Sequence, residues 1–66
     1  MTIRINGREE QIEKAVNIAE LIAHKNLFPE RVVVEHNLKI LLREEWAEAV
    51  LSENDRVEIV SFVQGG

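Results

Sequence analysis

The stretch TIRINGREEQI, residues 2–12, is the strongest local indication of the fold. Ile3 and Ile5 alternate with polar residues, and a second extended run follows Asn6-Gly7. Asn-Gly adopts the two positive φ angles of a type I′ turn, whose geometry matches the twist of paired strands. The chain therefore predicts a β-hairpin at residues 2–12.

A helix is predicted after this hairpin. Asn17 can cap its first turn, and Glu20 can accept a hydrogen bond from the backbone N–H of the cap. One apolar stripe recurs at helical spacing and consists of Ile18, Leu21 and Ile22. Pro29 disfavours helical geometry at the residue before it, so we expect the helix to end near Asn26 or Leu27.

The rest of the chain predicts three strands and one short helical segment. RVVVEH (31–36) is rich in β-branched residues and predicts a strand. LKILL (38–42) predicts the strand beside it, and VEIVSFV (57–63) predicts the last strand. REEWAEAVL (43–51) predicts one or two helical turns. This order predicts an α+β, ubiquitin-like β-grasp domain over residues 1–63, with a mixed sheet of about five strands and one main helix across one face. The last strand would lie centrally beside the first; a ferredoxin-like fold is the alternative, but it needs a second full helix.

Length, composition and charge exclude several classes of function. A chain of 66 residues leaves little room for an enclosed active site, which argues against an enzyme. The net charge of −4 is unfavourable for binding nucleic acid, and the lack of cysteine excludes disulfides, thiolate zinc sites and cysteine nucleophiles. Apolar runs are too short for a membrane helix, and the start does not resemble a signal peptide. We expect a soluble, cytoplasmic protein without a cofactor.

Few residues are candidates for catalysis or metal binding. His24 and His36 lie on different predicted elements without a third nearby ligand, so we expect surface histidines and no metal site. Trp46 is expected to cover the open end of the core. Three carboxylates are expected to form a solvated helix face: Glu44, Glu45 and Glu48. We therefore assign no catalytic residue.

The last predicted strand presents two different faces. Val57 and Ile59 are expected to face the helix, because alternate residues of a strand point to the same side. Val60 and Phe62 would then lie on the open face of the sheet, close to the final residues. Two apolar side chains at this place predict a partner docking surface.

The sequence from residue 32 to 66, VVVEHNLKILLREEWAEAVLSENDRVEIVSFVQGG, contains VEHN, REEW, ND-x-VEIV and a closing Gly65-Gly66. It resembles the C-terminal half of the ThiS family, the sulfur carriers of thiamine thiazole synthesis. Asn6-Gly7 and AELI extend the resemblance over most of the chain. The sequence departs from the family at Leu38 and Leu42, where members often have glycine and proline. A leucine with positive φ would cost ~1–2 kcal/mol, so we expect Asn37 to absorb this turn instead.

The resemblance implies that the Gly66 carboxylate is the reacting group. An E1-like, ThiF-like adenylating enzyme would convert it to an acyl adenylate with ATP. Sulfur from a donor linked to a cysteine desulfurase would replace AMP, and the thiocarboxylate would deliver its sulfur to a ThiG-like thiazole synthase. Gln64 and Gly65 would complete a flexible tail over residues 64–66, in which the lack of Cβ atoms lets the backbone enter a narrow channel.

Several alternatives remain open from the residues alone. A carrier for molybdopterin or tungstopterin would also end in Gly-Gly, and so would a covalent ubiquitin-like modifier. A non-covalent β-grasp adaptor would make no use of its last residues. An enzyme with its own activity ranks last among these interpretations.

Overall fold

The computed structural model describes residues 1–62. Strand β1 (Thr2–Ile5) and strand β2 (Arg8–Gln11) form the expected antiparallel hairpin. Asn6 and Gly7 connect them with φ angles of 52° and 83°. These two positive values are those of a type I′ turn, so the prediction made from Asn-Gly is confirmed.

Helix α1 (Ile18–His24) begins as predicted but ends early. The side chain of Asn17 accepts from the Glu20 N–H at 2.8 Å, and Glu20 accepts from the Asn17 N–H at 2.9 Å. Asn26 adopts a φ of 58° and turns the chain out of the helix. The Asn26 N–H donates to the Ala23 carbonyl, and the Leu27 N–H donates to the Ile22 carbonyl. These two hydrogen bonds form a Schellman motif. The predicted end near Asn26 or Leu27 is therefore late by two to three residues.

The remaining elements are a 3-10 turn (Pro29–Arg31), β3 (Val32–His36), β4 (Lys39–Leu41), a 3-10 helix (Arg43–Glu48) and β5 (Arg56–Ser61). The sheet order is β2-β1-β5-β3-β4. Strands β1 and β5 are parallel, and the other neighbours are antiparallel. The last strand thus lies centrally beside the first, and the β-grasp prediction is confirmed. Among the described residues α1 is the only α-helix, whereas a ferredoxin-like fold needs two.

The turn between β3 and β4 contradicts one expectation. Asn37 and Leu38 have φ angles of 50° and 73°, so Asn37 does not absorb the turn alone. The pairing of His36 with Lys39 leaves only two residues in the loop. A two-residue hairpin of type I′ needs a positive φ at both of them, and Leu38 is therefore forced into the left-handed region.

The core lies between α1 and one face of the sheet. Alternate residues of β1, β3 and β5 supply its sheet side, as the period of a strand requires. Trp46, on the 3-10 helix, is 3% exposed and confirms the expectation that it covers the core. The buried apolar residues are Ile3, Ile5, Ile18, Leu21, Ile22, Val32, Val34, Trp46, Leu51, Val57 and Ile59. Within residues 1–62, no helix is both long and apolar enough to cross a membrane.

Candidate docking surface

Strand β5 places its apolar residues on both faces of the sheet. Val57 is fully buried and Ile59 is 9% exposed, and both belong to the core. Val60 is 56% exposed and Phe62 is 50% exposed, so they lie on the face opposite α1. The predicted facing of the last strand is confirmed; the docking role of Val60 and Phe62 remains a prediction.

Hydrogen bonds hold the end of β5 beyond the point where β1 stops. The Asn6 side chain accepts from the Ile59 N–H at 2.7 Å and donates to the Ile59 carbonyl at 3.2 Å. The side-chain amide of Asn6 therefore continues the backbone hydrogen bonding between β1 and β5 by one position. On the other side, the Phe62 N–H donates to the Arg31 carbonyl at 2.7 Å. The backbone that presents Val60 and Phe62 is thus bonded on both sides.

Further apolar residues adjoin Val60 on the open face. Val33 pairs directly with Val60. Ile40 pairs with Glu35, which lies on the open face because the adjacent Val34 faces the core. Continuing the β3–β4 register by one position places Leu42 beside Val33. We call the resulting set the open-face patch: Val33, Ile40, Leu42, Val60 and Phe62. Sequence reasoning missed Val33, Ile40 and Leu42, because VVV (32–34) and LKILL (38–42) have apolar residues at neighbouring positions and no alternation shows which ones face the core.

Two carboxylates lie directly across from each other beside the open-face patch. Glu35 on β3 pairs with Glu58 on β5, and like charges in this position repel. Neither forms a salt bridge with any residue between 1 and 62. The open face therefore combines apolar residues with these paired carboxylates, and Arg4 and Arg56 lie on the same face near Glu58.

The tail residues of the sequence prediction, Gln64, Gly65 and Gly66, lie outside the described residues. Phe62 is the last described residue, and it follows directly from the central strand β5. The described part of the chain thus ends at an edge of the open-face patch.

The two histidines occupy different environments. His24 is exposed at the end of α1, as expected. His36 is not a lone surface histidine, since its side chain is 17% exposed and its Nε2 lies 2.8 Å from Asp55 Oδ2. Burial raises the pKa of Asp55, but hydrogen bonds from His36, Asn37 and the Ser52 N–H outweigh it and hold that pKa below its ordinary value. Among residues 1–62 no group of three potential metal ligands occurs.

The remaining candidate residues lie on the 3-10 helix. Glu45 is half-buried and accepts from the Leu42 N–H at 2.8 Å, so it caps the 3-10 helix instead of belonging to a solvated face. Glu44 and Glu48 are exposed as expected. The indole N–H of Trp46 is buried without a hydrogen-bond partner among the described residues. These residues provide no arrangement of nucleophile and base.

Comparison with known proteins identifies the family of this chain and a solved structure with the same fold. The ThiS family model matches residues 3–66. The sulfur carrier protein ThiS of Bacillus subtilis is 35% identical over 65 residues, which are 97% of this chain and 98% of that protein. The crystal structure of a thiamine biosynthesis protein (ThiS) from Geobacter metallireducens superposes with a TM-score of 0.85 at 29% identity, and each chain is covered completely.

A longer relative is matched over only part of its length. A thiazole synthase of Magnetococcus marinus is 33% identical over 66 residues, which are 100% of this chain but 20% of that protein. The chain thus spans about a fifth of such relatives. The match from residue 3 to 66 and the full-length similarity to a carrier show that the chain belongs to the ThiS family of sulfur carrier proteins.

Proposed function

We propose that this chain carries sulfur for thiazole formation in thiamine biosynthesis, as a thiocarboxylate on Gly66. The supporting observation is that the family match extends to residue 66, so that it includes Gln64, Gly65 and Gly66. The relative named sulfur carrier protein ThiS is matched over 98% of its own length. The chain acts as a co-substrate, and its partners supply the catalysis.

The chemistry begins with an unreactive group, because a carboxylate is a poor electrophile. One carboxylate oxygen of Gly66 attacks the α-phosphate of ATP, which gives an acyl adenylate and releases pyrophosphate. A persulfide sulfur then attacks the carbonyl carbon and AMP leaves. A thiol reduces the resulting S–S bond, and one sulfur stays on Gly66 as the thiocarboxylate. Glycine suits this position because it leaves the carbonyl carbon unhindered.

The chain divides into a β-grasp domain at residues 1–63 and a tail at 64–66. Three extended residues span at most ~11 Å, which is enough to reach from a docked domain into a cleft of the partner. Ordering a flexible segment has an entropic cost, so much of the affinity has to come from the docked surface. Val60 and Phe62 supply that surface next to the tail.

Three partners follow from this chemistry. An E1-like, ThiF-like enzyme adenylates Gly66, a donor linked to a cysteine desulfurase supplies sulfur, and a ThiG-like thiazole synthase accepts it. Relatives named thiazole synthase contain a segment similar to this chain, which supports the last partner. The proposal includes a cytoplasmic location for this protein.

The function is tested by incubating the chain with ATP, a ThiF-like enzyme and a sulfur source, and by recording the intact mass. Exchange of one oxygen for one sulfur at Gly66 is the expected result. The thiocarboxylate should then support thiazole formation by a ThiG-like enzyme. An unchanged mass would favour a non-covalent adaptor. Sulfur transfer to a molybdopterin precursor but not to the thiazole synthase would favour a molybdopterin-type carrier.

The docking role is tested by changing Val60 and Phe62 together to Ser. Both are half-exposed, so the unfolding transition should remain cooperative while the complex with the adenylating enzyme or with the thiazole synthase weakens. Val50→Ser is the matched control, because Val50 is 55% exposed and forms a bridge with Asn17 at the start of α1. Equal affinity of the double variant and the parent for both partners would show that Val60 and Phe62 do not dock.

A further inference from the structure

Asn6 has a side-chain amide that its turn does not require. Its φ of 52° and the φ of Gly7, 83°, form the type I′ turn between β1 and β2. Asparagine, aspartate and glycine all suit the first position of such a turn, because all three adopt a positive φ. The Asn6 side chain is bonded instead to Ile59, which lies 53 positions further along the chain. The turn therefore explains the backbone of Asn6 but not its amide.

The amide lies where β5 loses its neighbour on one side. Strand β1 pairs with β5 as far as Ile5 and Val57, and the Asn6 N–H donates to the Val57 carbonyl at 2.9 Å. The next bonds on this side come from the Asn6 side chain, which accepts from the Ile59 N–H at 2.7 Å and donates to the Ile59 carbonyl at 3.2 Å. Asparagine supplies both a donor and an acceptor, whereas an aspartate carboxylate only accepts and glycine does neither.

Open space lies beside β5 beyond this contact. A cleft of about 390 Å³ opens there, and its lining includes Leu27, Ile59 and Ser61. Ser61 is exposed although it alternates with Ile59 on the helix-facing side of β5. Within residues 1–62, the pairing of β5 with β1 ends at Val57. The Asn6 amide thus supplies the last hydrogen bonds on this side of β5 in the described part of the chain.

Strand β3 holds the opposite side of β5 without the help of Asn6. Val60 pairs with Val33, and the Phe62 N–H donates to the Arg31 carbonyl at 2.7 Å. These bonds keep Val60 and Phe62 on the open face when the amide is absent. Two-stranded ribbons twist more than wider sheets do. Loss of the amide should therefore change the direction in which β5 ends more than the surface that β5 presents.

This direction matters because Gly66 lies beyond the end of β5. Residues 63–66 span at most ~14 Å when extended, so a rotation of ~5° at the start of this span displaces its end by ~1 Å. A misplacement of ~1 Å at a reacting centre can lower a rate by ~100-fold. A small change in the direction of β5 is therefore large enough to affect chemistry at Gly66.

We propose that Asn6 is a positioning residue for the reactions of Gly66, and that its amide sets the direction in which β5 delivers the tail to a partner. The inference rests on the proposed function, since only a chain that reacts at Gly66 needs this direction to be fixed. Asn6 does not touch the reacting atoms. It acts through the backbone of Ile59, after the domain has docked, and the same geometry serves any partner that receives the tail.

The test compares Asn6→Gly and Asn6→Asp with the parent as substrates of a ThiF-like adenylating enzyme. Pyrophosphate release is measured against the concentration of the chain, at a temperature at which all variants are folded. Both substitutions keep a residue that suits the turn, but glycine removes both bonds to Ile59 and aspartate retains only the acceptor. We expect kcat to fall about tenfold for Asn6→Gly and less for Asn6→Asp, while KM stays within about twofold of the parent.

Asn54→Gly is the matched control. Asn54 also has a positive φ, 69°, but it lies before β5, at the end away from the tail. Its N–H donates to the Thr2 carbonyl at 2.7 Å through the backbone, which glycine retains. This variant should have the kcat and KM of the parent.

Amide exchange tests the geometry independently of the enzyme. In Asn6→Gly the Ile59 N–H should exchange faster than in the parent, because it has lost its acceptor. The Phe62 N–H, which bonds to Arg31, should keep its exchange rate. Equal exchange of Ile59 in both chains would overturn the inference, since the amide would then not hold this end of β5.

The kinetic outcomes separate this inference from the proposed function. A lower kcat at unchanged KM supports it. Parent-like kcat and KM overturn it even if Tm falls, because the amide would then serve only the fold. A higher KM at unchanged kcat also overturns it, because the amide would then serve docking. Failure of the parent itself to be adenylated would overturn the proposed function instead.

Discussion

Replacing Asp55 with alanine should destabilise this domain more than any other surface carboxylate change between residues 1 and 62. Asp55 lies directly before β5 and accepts three hydrogen bonds. His36 Nε2 lies at 2.8 Å, Asn37 Nδ2 at 3.1 Å and the Ser52 N–H at 2.8 Å. The Asp55 side chain is only 12% exposed, so water replaces these bonds incompletely when the carboxylate is removed.

The expected loss follows from these contacts. A hydrogen bond to a charged group contributes ~1.5–3 kcal/mol and a neutral one ~1 kcal/mol, and a donor left unsatisfied has its own desolvation penalty. Because the contributions of neighbouring hydrogen bonds overlap, we expect a total loss of ~3 kcal/mol. A domain of this size has ~3–10 kcal/mol of stability, so Asp55→Ala removes a large part of it. The corresponding fall in Tm is ~12–24 °C, at ~4–8 °C for each kcal/mol.

Urea and thermal unfolding can be followed through the fluorescence of Trp46, which is 3% exposed in the folded state. Glu53→Ala is the matched control, because Glu53 accepts only from the exposed Thr2 N–H at 3.2 and 3.3 Å. It should change stability by less than ~0.5 kcal/mol. A Tm for Asp55→Ala within ~3 °C of the parent would refute the account of this network.

Three further measurements test the Asp55 network, the helix cap and the first turn. The pKa of Asp55 is lowered in the folded state, so its contribution to stability is complete above ~pH 4 and is lost as the pH falls through the folded value. Urea midpoints between pH 5 and pH 2 should therefore fall more steeply for the parent than for Asp55→Asn; parallel slopes would contradict this. Asn17→Ala removes the helix cap and should lower the free energy of unfolding by ~1 kcal/mol, whereas no change would mean that the capping box is dispensable. Gly7→Ala should lower it by ~1–2 kcal/mol through the backbone alone, because a Cβ at Gly7 meets nothing within 4 Å; a change below ~0.3 kcal/mol would show that this turn relaxes.

The parts of the fold that depend on local sequence were predictable. Asn6-Gly7 encodes its own turn, and the pair Asn17 and Glu20 encodes the start of α1, since each acts within a few residues. The facing of β5 followed from the alternation of Val57 and Ile59 with Val60. Each of these signals is read from neighbouring residues, and each is present in the structure.

The features that sequence reasoning missed depend on register between distant segments. Leu38 has a positive φ because the pairing of β3 with β4 leaves a two-residue loop, and no local preference of leucine indicates that. His36 reaches Asp55, 19 positions away, only because β3 pairs with β5. The place of Ile40 on the open face likewise required the β3–β4 register, and the docking role of this face still requires a binding measurement.

The most direct test of the carrier function compares the parent with a chain lacking Gly66, using intact mass after incubation with ATP, a ThiF-like adenylating enzyme and a sulfur source. Deletion leaves the Gly65 carboxylate, which is an equivalent acid but lies ~3.5 Å short. Reaction at a positioned centre can lose ~100-fold from a misplacement of 1 Å. We therefore predict exchange of one oxygen for one sulfur in the parent and almost none in the truncated chain, with equal unfolding midpoints for both. Thiocarboxylate formation at the parent rate on the truncated chain would contradict the account.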